Sequence, residues 1–199
     1  LAGRDICGRA PTGSGKTRVT VEAMMEKAQS SGSGLRAIWV ADRKELCGQA
    51  LDTITNIFED LGRRSPRPRF DEMTIVEFFD AQLDESKFVG QSTEFNEITI
   101  FVATPDQLEQ RFGEPSFEWI KDNADMIVID EAHLGRDEWE RAIGPIRDCH
   151  TILLSATPQP VLDDVDDWIY PVDTLDTDNV DFIEALQDGG YLSEQIDGK

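Results

Sequence analysis

The sequence predicts an α/β fold in which a mostly parallel central sheet carries helices on both faces. Short, nearly continuous apolar runs, such as residues 35–41 and 126–129, are typical of strands that are buried on both sides. Longer stretches with apolar residues at helical spacing separate these runs. Because strands that alternate with helices favour parallel pairing, both observations indicate the same class. The 199 residues suffice for one domain of ordinary size.

The first part of the chain contains two predicted strand–helix pairs. Residues 5–9 form a short candidate strand, and residues 16–29 a helix that ends at a loop of serine and glycine. Residues 35–41 predict a second strand, and residues 43–61 a long amphipathic helix. Residues 62–69 predict a loop rich in arginine and broken by proline. This loop either contacts nucleic acid or is solvated and balances nearby acidic residues.

The second part of the chain predicts three further strands. Residues 98–103 form the first, followed by a short helix through Leu108. Residues 126–129 and 151–154 form the other two. Residues 73–79 form either a strand or a helix, because their pattern fits both.

The net charge is strongly negative. Forty acidic and 19 basic side chains give −21 at pH 7. Such a field repels phosphate at low salt and, taken alone, argues against nucleic-acid binding. We favour a halophilic cytoplasm, where molar salt shortens the Debye length to about 3 Å and weakens this repulsion. That interpretation predicts loss of structure on dilution into low salt.

Composition also excludes two classes of protein. No stretch approaches the roughly 18 unbroken apolar residues of a membrane span, so we expect no membrane partner and a cytoplasmic location. The three cysteines, Cys7, Cys47 and Cys149, are odd in number and far apart. They match neither a disulfide framework nor a zinc site, and we expect free thiols.

Residues 10–17 follow a predicted strand and open a predicted helix, which is the setting that a phosphate-binding loop requires. Glycines let the backbone curl so that its N–H groups, with the helix N-terminus, bind a polyphosphate. Lys16 can reach the outer phosphates, and the Thr17 hydroxyl can ligate Mg²⁺. Ala10 stands where the general pattern has glycine. The predicted phosphate-binding residues are Pro11, Thr12, Gly13, Ser14, Gly15, Lys16 and Thr17.

Two adjacent carboxylates follow the strand at residues 126–129. In a parallel sheet, ligands collect at the carboxyl ends of the strands, so Asp130 should lie at the same edge as the phosphate-binding loop. We predict that Asp130 binds Mg²⁺ and that Glu131 orients or deprotonates the attacking water. With Lys16, these two residues form the predicted catalytic set. His133 is expected to form a hydrogen bond with Ser155 or Thr157, whereas His150 is expected to be structural.

These residues resemble the superfamily-two helicases and translocases, over about residues 5–158. Residues 10–17 resemble motif I, and residues 130–133, spelled DEAH, resemble motif II. Residues 42–46 with Gln49 resemble motif Ia, and residues 104–108 resemble motif Ib. Ser155, Ala156 and Thr157 resemble motif III, which in this family couples the nucleotide state to the grip on nucleic acid.

The resemblance implies that the chain is the first RecA-like motor domain of such a protein, with the fold of P-loop NTPases. ATP and Mg²⁺ are the implied cofactors. Residues 1–170 would form the ATP-binding domain, and residues 171–199 a linker toward a second RecA-like domain. Nothing after Thr157 resembles the arginine-containing motif of that second domain, so slow ATP hydrolysis by this segment alone is expected.

The resemblance also implies a nucleic-acid partner, held by its backbone through Arg43, Thr104 and Pro105. The DEAH motif, residues 42–46 and the Ser-Ala-Thr-Pro run are more similar to restriction-subunit DNA helicases and translocases than to DEAD-box RNA helicases. DNA is therefore favoured over RNA, with restriction-modification subunits as possible partners. The alternatives are an RNA helicase domain and a non-catalytic, ATP-gated module that binds nucleic acid.

Overall fold

The fold is a single parallel sheet enclosed between two helical layers, seen in a computed structural model. The structure describes residues 6–9, 15–31, 34–64, 72–78, 97–146, 149–155 and 168–169. Within these ranges the chain forms seven strands and five helices. In chain order they are β1 Ile6–Arg9, α1 Lys16–Ser31, β2 Leu35–Val40, α2 Lys44–Arg64, β3 Glu72–Glu77, β4 Glu97–Ala103, α3 Pro105–Gln110, α4 Pro115–Asn123, β5 Met126–Ile129, α5 Arg136–Ile143, β6 His150–Ser155 and β7 Trp168–Ile169.

The sheet has the order β3-β4-β2-β5-β6-β1-β7, and its strand pairs all run parallel. Val40 at the end of β2 lies opposite both Ala103 of β4 and Ile129 of β5. Arg9 at the end of β1 lies opposite Ser155 of β6. The segments that follow these strands therefore leave from one edge of the sheet. The predicted parallel sheet is confirmed.

Helices cover both faces of the sheet, as predicted. Alternate strand residues point to opposite faces, and the buried side chains accordingly form two apolar clusters. Ala37, Trp39 and Val128 belong to the cluster under α1 and α2. Ile38 and Ile129 belong to the cluster under α3, α4 and α5.

Several elements differ from the sequence prediction. Residues 72–77 form a strand, because they pair with β4 along their whole length. Helix α2 continues to Arg64, so the expected arginine-rich loop cannot begin at residue 62. Helices α4 and α5 and the short strand β7 were not predicted. Helix α5 is mostly charged, and only Trp139 and Ala142 of its eight residues are buried, so its sequence carries a weak apolar pattern.

The remaining expectations concern cysteines, membranes and boundaries. Cys47 and Cys149 are free thiols, whereas the side chain of Cys7 lies outside the described residues. None of the described helices combines the length and apolar character that crossing a membrane requires. The predicted boundary at residue 170 and the linker 171–199 also lie outside the described residues.

Candidate active site

Helix α1 begins at the lysine predicted to hold phosphates. Gly15 immediately before it has φ +90°, a conformation that glycine adopts readily and other residues rarely adopt. The Lys16 side chain is buried, and its carbonyl accepts a hydrogen bond of 2.9 Å from the Thr20 hydroxyl. Thr17 is half-buried in the first turn, which contains no acidic residue. This helix start therefore suits an anion. Pro11, Thr12, Gly13 and Ser14 lie outside the described residues.

Asp130 directly follows β5 and faces Lys16. Its backbone N–H donates to the Val40 carbonyl at 2.8 Å, which ties the start of the turn to β2. Burial raises the pKa of the Asp130 carboxyl, and the neighbouring charge of Glu131 adds to this rise. The Lys16 ammonium acts in the opposite direction and lowers the pKa of Asp130. The structure thus places the predicted phosphate-binding lysine near enough to the predicted metal-binding carboxylate for their charges to interact.

Trp39 of β2 also lies beside Asp130. Its side chain is fully buried, and its indole N–H lowers the pKa of the Asp130 carboxyl. Within the described part of the chain, this N–H has no partner that satisfies hydrogen-bond geometry. A polar hydrogen that is buried close to a carboxylate favours its charged form, which is the form that ligates a cation. Sequence reasoning assigned this tryptophan only to the strand.

The turn after β5 presents Glu131. Its backbone has φ 50°, in the left-handed region. The N–H of Glu131 donates to Oδ1 of Asp130 at 3.0 Å, and its carbonyl accepts from the N–H of Leu134 at 2.8 Å. The Glu131 side chain is partly exposed, at 24%. It is therefore accessible to a water molecule, as its predicted role requires.

His133 connects this turn to β6. Its Nδ1 lies 2.9 Å from the Ser155 hydroxyl and 3.4 Å from Oε2 of Glu131. The backbone N–H of Ala132 also donates to the Leu154 carbonyl of β6, at 2.8 Å. Ser155 is buried at the end of β6. Of the residues predicted to couple the nucleotide to nucleic acid, His133 and Ser155 are thus in contact, while Ala156 and Thr157 lie outside the described residues.

The predicted nucleic-acid contacts lie at the ends of β2 and β4, on the same edge of the sheet. Thr104 is the N-cap of α3, where its hydroxyl oxygen accepts from the Gln107 N–H at 3.3 Å, and Pro105 opens the helix. Arg43 has an exposed side chain and forms an ion pair of 2.9 Å with Asp42. Asp42 thus offsets part of the positive charge that Arg43 presents at this edge.

The donor set suits Mg²⁺ and a nucleoside triphosphate. Mg²⁺ prefers hard oxygen ligands, and it is commonly held by one or two carboxylates together with substrate phosphates. Asp130 and Thr17 would supply a carboxylate and a hydroxyl, and Lys16 would neutralise the phosphates. The described residues contain no cluster of three or more metal-ligating side chains. Mg²⁺ held by Asp130 and Thr17 would take its further ligands from the nucleotide and from water.

The sequence pattern of the DEAD/DEAH box helicase family matches residues 1–165. The chain is 35% identical over 136 residues to DEAD-box ATP-dependent RNA helicase 32 of Oryza sativa subsp. japonica, covering 66% of this chain and 16% of that protein. It is 29% identical over 140 residues to the probable ATP-dependent RNA helicase ddx56 of Dictyostelium discoideum, covering 67% and 18%. The chain thus spans less than a fifth of the length of these relatives.

A solved structure shares the fold. It is a nuclease-deletion mutant of the Type ISP restriction-modification enzyme LlaGI in complex with a DNA substrate mimic. The TM-score is 0.54 at 14% sequence identity, and the match covers 79% of this chain and 16% of that chain. This likeness concerns the fold alone. The match over residues 1–165 shows that the chain belongs to the DEAD/DEAH box helicase family, as a first RecA-like domain.

Proposed function

We propose that this domain binds ATP with Mg²⁺ and hydrolyses it to drive an RNA helicase. The observation that carries the proposal is the electrostatic interaction between Lys16 and Asp130 at the carboxyl edge of a parallel sheet. In a chain of this family, these two charges suit the phosphates and the metal of one nucleotide. A lysine and an aspartate so placed are the means by which P-loop NTPases bind a triphosphate and its metal.

The residues at this edge of the sheet have different roles in the proposed hydrolysis. Lys16 and the N–H groups at the start of α1 hold the phosphates, and Thr17 and Asp130 hold Mg²⁺. Mg²⁺ held by these residues would neutralise the charge that develops on the phosphoryl group. Glu131 orients a water molecule and accepts its proton. The bond between His133 and Ser155 links this centre to β6, whose end leads toward Ala156 and Thr157.

Nucleic acid would bind beside this centre, at the ends of β2 and β4. Thr104, Pro105 and Arg43 lie there. None of these three residues belongs to a sequence motif that recognises individual bases. Contacts to the phosphate backbone confer little sequence preference. The net charge of −21 opposes such contacts over long range. We therefore propose that binding depends on short-range contacts, and that a second RecA-like domain supplies further ones.

RNA is the proposed substrate because the similar curated proteins are RNA helicases by name. This reverses the preference for DNA that residues 42–46 and the DEAH spelling suggested. A DNA translocase remains the second candidate, on the strength of Asp42, Arg43 and Lys44, which are similar to the restriction-subunit type of motif Ia.

The test is ATP turnover by the protein with single-stranded and double-stranded RNA and DNA of matched length. We expect RNA to stimulate turnover more than DNA does, and Lys16→Ala to abolish nucleotide binding. Lys27→Ala, in the same helix but remote from its start, is the matched control and should turn over ATP normally. Stimulation by DNA alone would favour the translocase. Binding of ATP without any turnover would favour an ATP-gated binding module.

A further inference from the structure

The turn that carries Glu131 is held in a conformation that its own residues disfavour. Glu131 is the one non-glycine residue with a positive φ in the described part of the chain, at 50°. For an L-residue this conformation costs roughly 1–2 kcal/mol. Such a backbone persists only where the surrounding structure over-determines it. The bonds around Glu131 therefore show what fixes the direction of its side chain.

Among the described residues, four hydrogen bonds hold the backbone of Glu131 and Ala132 in this turn. Two of them are internal to the turn, and two come from other elements. The internal pair are the bonds of Glu131 to Asp130 and to Leu134 described above. The external pair both hold the next residue, Ala132, one at its N–H and one at its carbonyl. The N–H of Ala132 donates to Leu154 of β6 at 2.8 Å, and the carbonyl of Ala132 accepts from the indole Nε1 of Trp139 at 3.1 Å.

The bond from Trp139 differs from the others because a side chain of another element supplies it. Trp139 lies on α5 and is 7% exposed, and Ala132 is 1% exposed. The bond is thus shielded from water, and a buried carbonyl left unsatisfied costs about 1–3 kcal/mol. This cost is comparable to the strain at Glu131, so losing the bond would permit the turn to relax.

We propose that Trp139 is a positioning residue for hydrolysis, whose indole N–H holds the Ala132 carbonyl and thereby fixes the left-handed turn that directs Glu131. This inference rests on the proposed function, because it assigns to Glu131 the orientation of the attacking water. Trp139 itself contacts no reacting atom. Its packing against the apolar cluster under α5 is a separate contribution, which a phenylalanine would largely retain.

The test removes the N–H and keeps the ring. In Trp139→Phe we expect kcat for ATP to fall by roughly 10- to 100-fold. A displacement of a catalytic group by about 1 Å can lower the rate by about 10²-fold. KM for ATP should change by less than about twofold, since ground-state binding is untouched. Benzothienylalanine at position 139, a tryptophan isostere that lacks the donor, should behave alike without any loss of packing. Trp119→Phe on α4 is the control and should leave kcat unchanged.

A second measurement is independent of ATP turnover. The amide of Leu134 is bonded to Glu131, so its hydrogen exchange reports whether the turn stays closed. We expect faster exchange at Leu134 in both variants at position 139 and unchanged exchange in Trp119→Phe. Exchange that is unchanged in the benzothienylalanine variant would overturn the proposal, as would a kcat equal to that of the wild type. If the wild type itself lacks turnover, the proposed function fails, and the exchange rates alone decide the role of Trp139.

Discussion

The turns that follow β4 and β5 leave the same edge of the sheet but are stabilised in different ways. After β4, Thr104 has an extended backbone, with φ −92° and ψ 158°, and caps the helix that Pro105 opens. After β5, Glu131 has φ 50° and Gly135 has φ 57°. The first turn is stabilised by its own sequence. The second depends on β6 and α5, which hold Ala132 from both sides.

The comparison shows that backbone strain occurs in the turn after β5 and not in the capped turn after β4. A capped turn positions its backbone groups with little conformational free-energy cost. Such positioning is sufficient for a surface that contacts a nucleic-acid backbone. The turn after β5 must present a single carboxylate beside Asp130 and Lys16, and its neighbours offset the strain. In the proposed function, the strained turn carries the chemistry and the relaxed one carries a binding contact.

The largest expected effect comes from Glu131→Gly, which removes both the carboxylate and the strain. Loss of a general base lowers kcat by about 10²- to 10⁴-fold. Glycine adopts the left-handed region freely, so the free energy of unfolding should rise by about 1 kcal/mol or less, after the entropy that glycine adds to the unfolded chain. ATPase kinetics and urea denaturation measure the two quantities. Glu131→Gln is the control: it should lose kcat equally and gain no stability. Equal stabilities for the two variants would show that the turn is not strained.

Gly135→Ala should have an intermediate effect on the same turn. An alanine there would require the left-handed conformation, at a cost of about 1–2 kcal/mol. Its Cβ would also lie 3.1 Å from Oδ1 of Asp42. We expect the free energy of unfolding to fall by at least this amount, measured by urea denaturation.

Gly48→Ala is the matched control for that substitution. Gly48 lies inside α2, and a Cβ there meets no atom within 4 Å. Alanine should therefore stabilise the protein by about 0.5–1 kcal/mol. A loss at position 48 similar to that at position 135 would contradict the assignment of the effect to local conformation.

Thr104→Ala should have the smallest destabilising effect, because the turn after β4 loses one capping hydrogen bond of 3.3 Å. The expected loss is about 1 kcal/mol of the free energy of unfolding. Thr104→Ser keeps the capping oxygen and should lose less than half as much. If both variants are equally destabilised, the contribution of Thr104 comes from the packing of its methyl group and the two turns differ less than described.

The same contrast explains what the sequence could predict. Lys16 and Asp130 belong to motifs whose residue types and spacing indicate the chemistry directly. Thr104 and Pro105 form a capping pattern that is local in the sequence. The parallel sheet followed from the apolar runs. Trp139, Trp39 and Gly135 gave no such signal, because the residues beside them, Ala132, Asp130 and Asp42, are distant in sequence or belong to other elements. Helix α5 was missed for a related reason: it is short, and most of its residues are charged and solvated.

Strand pairing decides on which side of the sheet the carboxylate of Asp130 falls. Met126 and Val128 point toward α1 and α2, and Ile127 and Ile129 toward the opposite layer. Continuing the alternation, Asp130 falls on the side of α1, where Lys16 lies. A shift of β5 by one residue would exchange its two faces and send this carboxylate away from the lysine. Correct alignment of β5 with β2 and β6 is therefore a condition for placing the Asp130 carboxylate near Lys16.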